Sequence, residues 1–224
     1  IIEALKDIFA NNPYVRHVMV FQNWLHAAGA SVEHLHRQLV GMDTYGPALT
    51  RSLQVVQNNP NIYNDSIVNF SKQEKLIIAE NQHAVGLAEI GHGFPTLAVS
   101  SKSQNLRPEE HSQDEVKGIS DLVHAFHAAT GNQIPCNEEW FYTPQRSKKP
   151  IPWHILIKWR INNLAGFEGV TNIYLNPVAP KDLKDRVVPK LKEFRAQGKI
   201  GDINIDTECR TQINPLLYCQ KTRL

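Results

Sequence analysis

Ile1, Ile2, Leu5, Ile8 and Phe9 recur at helical spacing, which predicts a helix from Ile1 to Ala10. Asn11-Asn12-Pro13 breaks that period, and the β-branched and aromatic residues of Val15 to Asn23 predict a strand. A second short strand is expected from His34 to Val40. Between the two lies Ala27-Ala28-Gly29-Ala30-Ser31, a run of small residues where a backbone can approach a ligand closely. Leu49, Leu53 and Val56 share one side of a helix expected from Thr44 to Asn58, which Asn59-Pro60 ends. Three apolar runs, Lys75 to Glu80, Ala84 to Ile90 and Thr96 to Ser100, are separated by polar or glycine-containing turns and read as an antiparallel meander.

Pro108, Glu109 and Glu110 suit the first turn of a long helix reaching Thr130, with Gly131 closing it. Strands are predicted over Glu139 to Tyr142 and Trp153 to Arg160, and a last helix over Pro180 to Gln197. Strands, helix, strands, helix is the order of an α+β fold, with helices on one face of antiparallel sheet, and it disfavours a doubly wound parallel sheet.

Composition narrows the partners. With 24 Lys and Arg against 22 Asp and Glu, no broad field favours a nucleic-acid backbone or an anionic membrane. No stretch approaches the roughly 20 apolar residues of a spanning helix. Cys136, Cys209 and Cys219 are odd in number and lack C-x-x-C spacing, which argues against a disulfide framework and points to a reducing cytoplasm. The chain opens without methionine, inside a helical period, and a further N-terminal segment is expected.

The chemistry concentrates in F-Q-N-W-L-H-A-A-G-A-S-V-E-H-L-H-R-Q-L-V, Phe21 to Val40. If His34 to Gln38 is extended, His34, His36 and Gln38 project to one side. A neutral imidazole is nucleophilic enough to attack phosphorus, and a carboxamide donates to a phosphoryl oxygen as charge shifts. Backbone N–H groups of the Gly29 to Ser31 turn and the Ser31 hydroxyl are further candidate donors. By itself H-x-H on a strand is equally a half-buried pair or a metal site.

The longer pattern separates these readings. F-x-N, G-x-S and H-x-H-x-Q, at these spacings and without a gap, resemble the nucleophile segment of galactose-1-phosphate uridylyltransferases, members of the histidine-triad superfamily that read F-E-N, G-C-S and H-P-H-x-Q. W-H-I-L-I-K-W-R, then A-G-F-E and Y-L-N-P-V-A-P, resemble the W-H-I-E-I-x-P-R, A-G-F-E and I-N-P-x-x-P-E elements of the sugar-nucleotide phosphorylases. The resemblance implies two histidine-triad-like units, residues 1–60 being the C-terminal part of a first, incomplete at its N-terminus, and 61–224 the second. It makes His36 the nucleophile, Gln38 its phosphoryl donor, Asn23, Gly29 and Ser31 substrate contacts, and Glu168 an acceptor for sugar hydroxyls. A helix N-terminal acid is the competing role for Glu168. His34 matches a position that in many members ligates a structural zinc, with the other ligands upstream.

Two departures stand out. Glu33 and Leu35 replace prolines of the motif, and Phe141, Leu156 and Lys158 replace the histidines of a second metal site, which is therefore not expected. His124 and His127, one helical turn apart, are read as a solvated helix face, and Lys158 and Arg160 as an exposed strand face. The implied activity is nucleotidyl transfer from a nucleoside diphosphate sugar to a sugar 1-phosphate or phosphate, in a homodimer. A nucleotide hydrolase and a non-catalytic nucleotide-sugar binding protein are the alternatives.

Overall fold

Eight strands form one antiparallel sheet in the computed structural model, which describes residues 1–32 and 34–222, with side chains as far as Cys219. Glu33, one of the two departures from proline, lies outside the described residues. The strands are β1 (His17–Trp24), β2 (Arg37–Met42), β3 (Ile77–Glu80), β4 (Ala84–Glu89), β5 (Thr96–Ser101), β6 (Cys136–Phe141), β7 (His154–Trp159) and β8 (Asn204–Ile205). Their spatial order is β2-β1-β6-β7-β5-β4-β3-β8. The expected meander is β3-β4-β5. Because β1 pairs with β6 as well as with β2, residues 1–60 and 61–224 contribute to a single continuous sheet.

The central strands are apolar on both sides because both sides are covered. Leu97, Val99, Ile155 and Ile157 meet α4 (Gln113–Thr130) and α6 (Pro180–Ala196) through Leu122, Phe126, Val187 and Leu191. Ala98, Val85, Leu87 and Leu156 project the opposite way, against Val68, Leu216 and Tyr218. α4 and α6 thus lie on one face, while a wide-turned helical stretch over Tyr63–Asn69, which continues into α3 (Phe70–Gln73), and the C-terminal residues close the other. The sequence offered no period for either.

At the β2 edge the two faces have separate covers. α1 (Ile2–Asn11) packs Leu5, Ile2 and Ile8 against Val18 and Val20, on the side of α4 and α6. α2 (Pro47–Asn58) builds a small core from Leu49, Leu53 and Val56 with Ile151. The expected single helix from Pro108 is instead a one-turn 3-10 segment, Pro108–Glu110, followed by α4. Ser112 starts α4 by accepting from the Glu115 N–H while the Glu115 carboxylate accepts from the Ser112 N–H, a reciprocal cap that outcompetes a continuation from Pro108.

Candidate functional site

β2 begins at Arg37, so His34 and His36 sit in the loop leading into the strand and not on it. The alternation nonetheless persists: the two imidazoles lie parallel with centroids 6.5 Å apart, while Leu35 and Arg37 line a cavity on the α4 side. Gln38 pairs with Phe21 on the opposite face. His34 is exposed and His36 half-buried, so the nucleophile candidate remains open to a ligand.

His36 Nδ1 lies 2.6 Å from the His34 carbonyl oxygen. A carbonyl only accepts, so Nδ1 carries the proton and the neutral ring keeps its lone pair on Nε2. The tautomer needed for attack on phosphorus is set by the motif's own backbone.

The small-residue turn is built as a closed unit. His26–Ala28 forms one 3-10 turn that ends at Gly29, whose φ of +85° is the left-handed region a glycine enters without a Cβ penalty. The N–H groups of Ala28 and Ala30 donate to the Leu25 carbonyl, and that of Gly29 to the His26 carbonyl. This corrects the expectation that the Gly29 and Ala30 amides face a phosphate: the turn consumes them. Ser31 is exposed and lines a shallow cleft with Leu25, His26 and Val32.

An amide ladder fixes this turn to the sheet. Asn137 Nδ2 donates to Asn23 Oδ1 (2.8 Å) and to the Ala28 carbonyl (2.7 Å), and Asn23 Nδ2 reaches the Gly29 carbonyl at 3.4 Å. Arg160 NH1 donates to Asn137 Oδ1 at 2.8 Å, with its guanidinium 4.3 Å over the Phe94 ring. Lys158 pairs with Glu139 at 2.6 Å. Lys158 and Arg160 are therefore part of the face that carries Asn23, and not the exposed stripe read from the sequence. Asn137 was missed because C-N-E-E-W-F matches no motif; only strand parity opposite Asn23 would have found it.

On the other side of the sheet, Glu138 is fully buried and receives four donors. Arg37 supplies Nε (2.7 Å) and NH2 (2.9 Å), His127 supplies Nε2 (2.6 Å) and Trp140 its indole N–H (2.7 Å). Burial pulls this carboxyl up, but the bonds and charges of His127 and Arg37 outweigh it and hold the group at about 2. His127 is thus no solvated helix residue. The arginine next to His36 is anchored two strands away, which ties the start of β2 to the sheet interior.

Glu168 lies on α5 (Gly166–Thr171), 6% exposed, and its carboxylate accepts from the Ala165 N–H at 3.0 Å. Its own N–H, that of Ala165 and that of Leu175 lower its pKa. The helix-capping role is the one this geometry displays, and Glu168 does not join the ladder of Asn23, Asn137 and Arg160. Phe141 stacks on buried His154, centroids 5.2 Å apart. Among the described residues no group of three His, Cys, Asp or Glu side chains is placed to hold a metal ion.

Comparison with known proteins follows the same lines. Residues 1–218 match the family model described as Domain of unknown function (DUF4921). The chain is 24% identical to ADP-glucose phosphorylase of Arabidopsis thaliana, the match covering 78% of this chain and 52% of that protein. The crystal structure of an Arabidopsis thaliana ADP-glucose phosphorylase with bound ADP-glucose superposes with a TM-score of 0.70 at 19% identity, covering 84% of this chain and 63% of that one. A structure of uridylyltransferase gives 0.71 at 16% identity, with 86% and 65% covered. The chain thus spans about half the length of its curated relative.

Proposed function

Since this chain belongs to the DUF4921 family, within the galactose-1-phosphate uridylyltransferase-like, sugar-nucleotide phosphorylase branch of the histidine-triad superfamily, we propose that it transfers a nucleotidyl group by way of His36. The observation that carries the proposal is the Nδ1 to His34 carbonyl bond, which supports an Nε2 lone pair on a half-buried ring. A nucleoside diphosphate sugar binds, Nε2 attacks its α-phosphorus, and the bond to the bridging oxygen breaks so that sugar 1-phosphate leaves with the electron pair. A sugar 1-phosphate or inorganic phosphate then attacks the nucleotidyl-histidine and restores the neutral imidazole.

Gln38 donates to a non-bridging oxygen as charge builds there. Asn23 and Ser31 contact the phosphates, while Gly29 acts by letting the chain turn closely beneath them. Glu168 takes a sugar hydroxyl on the lone-pair positions that its backbone donors leave unused. We take residues 1–60 as part of a first histidine-triad-like unit and 61–224 as a second. A homodimer belongs to this reading, supported by the exposed apolar side chains of Phe167, Val170, Ile173 and Leu175 on and after α5. The cytoplasm is the setting we propose, given an odd number of cysteines without C-x-x-C spacing. A structural zinc with His34 as one ligand belongs to this reading as well, apart from the transfer chemistry.

The test uses a nucleotide sugar labelled at the α-phosphate. His36→Ala should leave no acid-labile, base-stable label on the protein, and Gln38→Ala should slow labelling by about 10²–10³. Equal labelling of folded His36→Ala and unmodified protein would remove His36 as nucleophile.

A further inference from the structure

A cavity lies on the face of the sheet away from Asn23 and Gln38. It occupies about 670 Å³ between α4 and strands β1, β2 and β6. Its floor is the cross-strand row in which Gln22 stands opposite Arg37 on one side and Glu138 on the other, with Trp24 one step along. Its roof is the α4 stripe Ser120, His124 and His127.

Three features select a ligand. Gln22 is 2% exposed and lines the cavity, yet its carboxamide has no hydrogen-bond partner among the described residues. Its donor and acceptor face the cavity, where a ligand that pairs with both at once can replace water. The Trp24 indole is pinned by its N–H to the Asn132 carbonyl at 3.0 Å, which leaves the ring as a fixed apolar wall. Finally, Arg37, His124 and His127 face the cavity, and among the described lining residues there is no Asp or Glu. The nearby carboxylate of Glu138 is wholly buried behind Arg37 and His127.

We infer that this cavity is a second nucleotide site, taking a nucleoside monophosphate with its base against Trp24, the base edge on the Gln22 carboxamide and the phosphate toward Arg37, His124 and His127. A nucleobase offers the adjacent donor and acceptor that a carboxamide pairs with, plus a flat face for the indole. Neither free phosphate nor an apolar ring would satisfy both halves of the cavity. Leu35 and Arg37 line this site while His36 stands between them, so occupancy reaches the nucleophile loop from its far side. The site stands without the proposed transfer reaction.

Isothermal titration with AMP and UMP tests it, with adenosine and orthophosphate as the separate halves. Whole nucleotide should bind about tenfold or more tightly than either half. Gln22→Leu, and the near-isosteric Gln22→Glu should the first variant fail to fold, should weaken it by about tenfold or more. Trp24→Phe should abolish nucleotide-dependent quenching of tryptophan fluorescence. Unchanged affinity in folded Gln22 variants would overturn the inference, as would the absence of binding by intact protein. Loss in Gln38→Ala alone would also overturn it, placing the nucleotide on the transfer face and leaving the proposed function standing.

Discussion

Replacing Glu138 by Gln changes one atom type in a buried carboxylate that accepts four side-chain hydrogen bonds. The carboxylate accepts from Arg37 twice, from His127 and from Trp140, and has no exposure to water. A glutamine presents an NH2 where acceptors are required and leaves the Arg37 charge without its counter-ion. Breaking a buried pair in this way costs about 3–5 kcal/mol. The pH dependence gives a second measure: a carboxyl held at about 2 instead of 4.5 carries about 3 kcal/mol of folding free energy. The depressed value means that this stability is fully present above pH 4.5 and is lost as pH falls toward 2.

Thermal melts at neutral pH should therefore place Glu138→Gln about 6–20 °C below the unmodified protein, at roughly 2–4 °C per kcal/mol for a chain of this size. Urea titrations between pH 5 and 2 should show a shallower acid loss in the variant, since it lacks the carboxyl that titrates there. A variant melting within about 2 °C of the unmodified protein, with the same acid slope, would refute the view that this cluster anchors the β2 edge.

Two more outcomes follow from packing. A Cβ on Gly86 would stand 2.5 Å from Cζ and 2.9 Å from Cε2 of the fully buried Phe126 ring, so Gly86→Ala should cost about 1–3 kcal/mol in chemical denaturation. Burial pushes the His17 imidazole down to about 4, against Tyr142 at 4.6 Å between ring centroids. The stability this neutral ring contributes is present above pH 6.5 and falls away as pH drops to 4, and an NMR titration should find its midpoint near 4; a midpoint above 6 would show that water reaches the ring.

Much of this molecule was legible in the chain because its signals are local. Alternation and helical period depend on neighbours a few residues apart, which is why the strands from Val15 and Ala84 and the helices from Ile2 and Pro180 fall close to where the pattern puts them. The Phe21 to Val40 motif was legible for the same reason, since its residues are consecutive. Other properties belong to pairs far apart in sequence. Glu138 reads as an ordinary strand acid until the register of β1 and β6 brings Arg37 within reach across Gln22. Lys158 and Arg160 read as a solvated stripe until Glu139, Asn137 and Phe94 surround them. The Gly29 turn shows the limit most plainly, since a run of small residues permits close approach but does not say where its amides point. That is decided by local hydrogen bonds to Leu25 and His26 and by the Asn137 side chain arriving from another strand, a contact that exists only once the sheet has formed.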